Sequence, residues 1–126
     1  MADAGNPDGR IDPEFTAYPL RALADTALQR ATELGAGHAD FRAERILAQR
    51  IVLSDGALET LDDSDVLDLA MRVVVDGTWG FAATVNMTPD AAARTTAEAV
   101  QVARVTAAIN SERIELADEP SYGDVT

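Results

Sequence analysis

Chemistry in a polypeptide needs a few particular side chains at workable spacing, and this chain is sparsely supplied with them. It has one histidine, His38, and no cysteine. A hydrolytic zinc normally takes three protein ligands, often two of them histidines, plus an activated water. One imidazole without a thiolate does not build that set, and no His-Glu-x-x-His helix occurs. His38 is expected where a helix hands over to a strand, solvated or hydrogen-bonded locally. Ser54, Ser64, Ser111 and Ser121 fall in turn-like or terminal contexts, none in the Gly-x-Ser-x-Gly elbow that presents a nucleophile. Gly56, Gly77 and Gly80 match neither GxxxxGK[ST] nor GxGxxG, so no phosphate cradle is expected. Asp62 and Asp63 offer paired carboxylates to a hard cation, but EF-hand spacing is missing and a solvated acidic loop is the simpler reading. No catalytic, cofactor-binding or metal-binding residue is expected in this chain.

One group stands above that background. If Asp76-Gly77 is a two-residue hairpin turn, Arg72 lies opposite Phe81 and diagonal to Trp79 on one sheet face. A guanidinium stacked on aromatic rings beneath a helix is the plain account. The functional account is an interface, because Trp and Arg are typical anchors of buried contacts. Arg72, Trp79 and Phe81 are therefore the candidate interface residues.

The elements that position them follow from periodicity. Met1 to Glu14 is polar and rich in turn formers, which predicts a disordered tail. Leu20, Leu23, Ala24, Ala27, Leu28, Ala31 and Leu34 recur on one helical stripe, with Pro19 available for the first turn and Gly35 or Gly37 for the stop. From Ala39 the period changes to two and runs loosely to Leu53, and Asp55-Gly56 supplies a turn that would set Leu53 against Leu58 and Ile51 against Thr60. Asp62-Asp63-Ser64-Asp65 is expected to break the sheet as a loop. Val66–Val75, the Asp76-Gly77 turn and Thr78–Val85 form a second hairpin. Its register sets Leu69, Met71, Val73 and Val75 opposite Thr84, Ala82, Gly80 and Thr78, large against small, leaving a trough for a helix. Thr88-Pro89-Asp90 opens that helix with a cap, a first-turn proline and a favourable charge. The expected fold is α+β: an antiparallel sheet of about four strands with two flanking helices, in the order α-β-β-β-β-α. The expected division is a tail over 1–14, one domain over 15–110, and an acidic linker over 111–126 leading toward a further, C-terminal domain.

Composition narrows the partners. Lysine is absent, ten arginines are scattered, and the formal net charge is −12. Phosphate backbones and anionic lipid repel such a surface, so direct nucleic-acid or membrane contact is not expected. No apolar run approaches a membrane span and the N-terminus lacks the pattern of a secretion signal, so a cytoplasmic location is expected.

The stretch Met71-Arg-Val-Val-Val-Asp-Gly-Thr-Trp-Gly-Phe-Ala-Ala-Thr84 is followed by Met87-Thr-Pro and an Ala/Val helix ending near Ala103-Arg104. With Ala39-Asp-Phe-Arg-Ala-Glu-Arg45, the Asp55-Gly56 turn and Glu119-Pro-Ser-Tyr-Gly-Asp-Val125, it resembles the N-terminal domain of the TldD/PmbA proteins, also described as modulators of DNA gyrase. The likeness runs from about Leu20 to Thr126 and leans toward the TldD-like branch. It departs at Asp68-Leu69-Ala70, where the family often has a glycine before the strand arginine. The resemblance implies a cytoplasmic zinc metallopeptidase, active in proteolysis as a homodimer or a TldD/PmbA-type heterodimer on peptide substrates. It places the zinc and its His-Glu-x-x-x-His helix in a downstream domain. This chain would be inactive alone, forming part of the substrate chamber and contacting its own C-terminal domain or another subunit. The alternative is a stand-alone acidic regulatory module, related to gyrase or to toxin–antitoxin pairs; inhibition in a supercoiling assay would favour it. A scaffold that pairs through the Trp79 face with its own copy is a third reading.

Overall fold

Each element of the computed structural model, which describes residues 10–125, begins or ends where local chemistry dictates. A one-turn helix, α1 (Pro13–Thr16), is capped by Asp12, whose side chain accepts from the Glu14 amide. α2 (Leu20–Glu33) follows, with Leu23, Ala27 and Ala31 buried along one stripe. It stops at Gly35, whose φ of +82° is open to glycine at little cost. The Ala36 amide then donates to Ala31 and the Gly35 amide to Thr32, which satisfies the last carbonyls.

β1 (His38–Ser54), β2 (Ala57–Val75) and β3 (Thr78–Thr84) make a three-stranded antiparallel sheet in that order. Both hairpin turns put Asp and Gly at positive φ: Asp55-Gly56 at 51° and 77°, Asp76-Gly77 at 51° and 67°. That pair of left-handed residues matches the twist of the flanking strands. The β2–β3 register sets Leu69, Met71, Val73 and Val75 against Thr84, Ala82, Gly80 and Thr78, and Arg72 against Phe81. α3 (Pro89–Ala107) starts as its sequence requires, with Thr88 Oγ1 accepting from the Ala91 amide and Pro89 in the first turn.

The core is a two-layer sandwich. Leu69, Met71, Val73 and Val75 meet Leu23, Ala27 and Ala31 of α2 and Ala92, Ala99, Val100 and Ala103 of α3. Alanines at these helix positions let backbones approach closely. Thr96, fully buried, ties the helices together: its hydroxyl lies 2.8 Å from the Ala92 carbonyl and 3.3 Å from the Ala27 carbonyl.

Three expectations are corrected. The sheet has three strands, not about four, because Asp62–Asp65 continues β2 instead of looping out. In a ribbon wet on both faces, acidic side chains cost little, and each finds a partner across the ladder. Arg50 faces Asp62, Gln49 Nε2 donates to Asp63, and the Ser64 hydroxyl approaches the Ala48 carbonyl. Second, Leu53 does face Leu58, but Ile51 faces Leu61 and Val52 faces Thr60. Glu59 is an extra residue at a bulge, which moves every later pair by one. Third, the helix expected above the Arg72 stack is not there among the described residues; both long helices lie on the Met71 face.

Of the segment expected as a tail, residues 1–9 lie outside the described residues, and Pro13–Thr16 is helical. Residues 111–125 form no regular element, but their start is tied down. The Ile114 amide donates to the Gly77 carbonyl at 2.8 Å, and Arg113 Nη1 reaches Thr78 Oγ1 and the Ala107 carbonyl. Among the described residues no helix is long and apolar enough to cross a membrane.

Candidate functional site: the uncovered sheet face

Side chains alternate across a strand, so the face opposite the core collects His38 and Asp40 of β1, Arg72 and Val74 of β2, and Trp79 and Phe81 of β3. Asp40 sits opposite Arg72 and Val74 opposite Trp79. The Arg72 guanidinium carbon stands 4.8 Å from the Trp79 ring centre while its Nε donates to Asp40 Oδ2 at 2.9 Å. The same carboxylate oxygen is 3.4 Å from His38 Nε2, and the imidazole meets Trp79 edge-on, with centroids 6.1 Å apart. Arginine is thus gripped twice, by a carboxylate at its neck and an aromatic plane at its head. That double hold removes rotamer freedom from the side chain.

The stack forms as expected from the register, but no helix of the described residues lies above it. Arg72 keeps 53% of its side-chain surface and Phe81 is 60% exposed. A shallow groove of about 290 Å³ runs beside Phe81, with Asp40, Glu44 and Asp68 set against Arg42 and Arg72 along its walls. Such a mixed-charge strip around one bare aromatic ring fits a polypeptide surface better than a small apolar ligand.

A second cluster was not foreseen from sequence. Arg45 donates from Nε and Nη2 to the two oxygens of Asp65, at 3.0 and 2.8 Å, and from Nη1 to Asp12 and Glu14 at 2.7 and 2.9 Å. One guanidinium therefore staples α1 to the first hairpin. The sequence signal was present only as one of three arginines in β1, Arg42, Arg45 and Arg50; its three acids come from positions 12, 14 and 65. The bidentate bond from Arg45 holds the Asp65 carboxyl below its ordinary value of 3.8, against an opposing desolvation effect. The hydrogen bonds that Arg45 donates to Asp65 and then to Glu14 raise its own value further, so the guanidinium stays charged.

A carboxyl depressed in the folded state stabilises fully above 3.8, and that contribution fades as pH falls below 3.8 through the folded value. The Asp65 carboxyl carbon, followed by NMR, is expected to titrate with a midpoint below 3.8 in wild type. A midpoint at or above 3.8 would contradict the bidentate pair.

Zinc does not fit the described residues. His38 is the single histidine, its Nε2 faces a carboxylate oxygen already held by Arg72, and among the described residues no three His, Asp or Glu side chains converge into a metal-holding group.

The sequence profile of PmbA/TldA metallopeptidase domain 1 matches residues 39–103, which is more than half of the chain. The chain belongs to this family. No curated protein matches it. The matched segment opens at the second residue of β1 and closes within α3, so it takes in all of the sheet except His38 and most of α3. All three candidate interface residues, together with Asp40 and the Arg45–Asp65 pair, lie inside this first metallopeptidase domain; α1 and α2 lie before the matched segment.

Proposed function

We propose that this chain is the non-catalytic first domain of a zinc metallopeptidase of the PmbA/TldA kind, and that its uncovered sheet face packs against the downstream domain or a second subunit, walling part of a peptide-substrate chamber. One observation carries the reading: Phe81 stands bare beside an arginine already clamped between Asp40 and Trp79, on a face that the domain's own helices leave open. An exposed aromatic next to an immobilised guanidinium has the make-up of an interface anchor. The family membership supports the rest of the reading. Zinc and the hydrolytic step belong on this reading to the downstream domain, and the assembly is a homodimer or a heterodimer of related subunits acting on peptides.

The test uses the 126-residue chain and, on this reading, a longer protein in which it is joined to the downstream domain. Phe81→Ser is expected to leave the stability of the short chain within about 0.5 kcal/mol, as surface changes do. In the longer protein the same substitution is expected to weaken subunit or domain association by about 2 kcal/mol, roughly 30-fold, and to lower peptide cleavage with it. Sedimentation and a peptidase assay read both. Stoichiometric zinc in the isolated chain, or chelator-sensitive cleavage by it, overturns the assignment.

A further inference from the structure

The helical layer stops short of the far end of the sheet. β3 pairs only with Leu69–Val75 of β2, so everything beyond is a two-stranded ribbon of β1 and β2. The core helices cover the Met71 face, and the α1 end reaches along it only as far as Arg45, which Asp12 and Glu14 hold. Farther along the same face, Ile51 pairs with Leu61 and Leu53 with Leu58, and all four are between 55% and 64% exposed. A two-stranded ribbon is marginally stable in water by itself. Contiguous bare aliphatic side chains on it mark a surface that another element completes.

We propose that this distal ledge of the first hairpin docks a basic amphipathic helix. Two observations select that occupant. The first is layering, since the same face of the same strands already carries helices, and one more would extend the layer over Ile51 and the three leucines. The second is charge. Asp55, Glu59 and Asp63 border the leucines, and residues 43–68 carry seven acids against two arginines. Arg45 is already committed to Asp65, and Arg50 stands opposite Asp62. A second copy of the ledge would set acid against acid, and an anionic lipid surface would be repelled in the same way. A helix with leucines on one face and lysines or arginines along its borders satisfies both requirements. The ledge lies on the face opposite Trp79, so this inference and the proposed function stand or fall separately.

Fluorescence anisotropy of a labelled helical Leu/Lys peptide, titrated with the whole 126-residue chain at about 0.15 M salt, tests the ledge. The comparison is the triple variant Leu53→Ser, Leu58→Ser, Leu61→Ser, which keeps the net charge of −12. Wild type is expected to bind roughly tenfold or more tightly than the variant and to ignore a Leu/Glu peptide of the same pattern. Equal affinity for wild type and variant means attraction by charge alone and overturns the proposal. So does a wild-type dimer in sedimentation that the variant loses, because the ledge is then filled by its own copy. Should the triple variant not give the wild-type circular dichroism, Leu58→Ser alone is read the same way.

Discussion

Gly80→Ala is expected to cost about 3 kcal/mol, and Gly80→Val to leave little folded protein. Gly80 lies in β3 directly under α3, opposite Val73. A Cβ there would fall on the Ala99 carbonyl oxygen and come within 2.8 Å of both the Cβ and the amide nitrogen of Ala103. Two of these are backbone atoms of a helix and the third is an alanine Cβ fixed to that backbone, so none can swing aside. The helix must lift off the sheet, and the alanine-rich contact it makes has no larger side chains to bridge the gap. Against a total stability of about 5–15 kcal/mol, such a loss is expected to move the urea midpoint by roughly 1–3 M. Gly35→Ala is the control. Nothing lies within 4 Å of a Cβ at Gly35, so only its φ of +82° is penalised, at about 1 kcal/mol. Equal midpoint shifts for the two alanine variants would show that α3 does not approach β3 this closely.

Met71→Ala is the second large effect, expected at about 2–5 kcal/mol. Met71 is fully buried at the centre of the cluster, on a strand flanked by Phe41 and Ala82, with the helices above. The small residues around it, Ala82, Ala99 and Ala103, cannot expand into the space it leaves. A fall in melting temperature of roughly 10 °C is expected. Leu53→Ala, at a residue of similar size that is 64% exposed on the ledge, should change stability by less than about 0.5 kcal/mol. A Met71→Ala protein that melts with wild type would mean the core is centred elsewhere.

Both effects descend from a register legible in the sequence. Asp76-Gly77 between two β-prone runs admits one tight pairing, and that pairing put Val73 over Gly80 and Arg72 over Phe81. The first hairpin was legible only as far as its turn. A bulge at Glu59 has no signature in residue type there, so the pair expected for Ile51 was off by one. The acidic run from Asp62 to Asp65 looked like a breaker because its neighbours in sequence are acids too. Its strand conformation depends on Arg45, Gln49 and Arg50, which come from the opposite strand.

What the sequence determined alone is what local rules control: the caps of α3, the glycine stop of α2, the two Asp-Gly turns and the family, which an Arg-Val-x-x-Asp-Gly-x-Trp-Gly-Phe run already marked. The tertiary structure decided the rest. It put both long helices on one face, which leaves Arg72, Trp79 and Phe81 uncovered, and it gathered Asp12, Glu14 and Asp65 around Arg45. Both faces of the strands carry apolar residues, so periodicity cannot say which one the helices take. That choice is made by fit: only the Met71 face pairs large residues with small ones, and so offers a trough deep enough for α3.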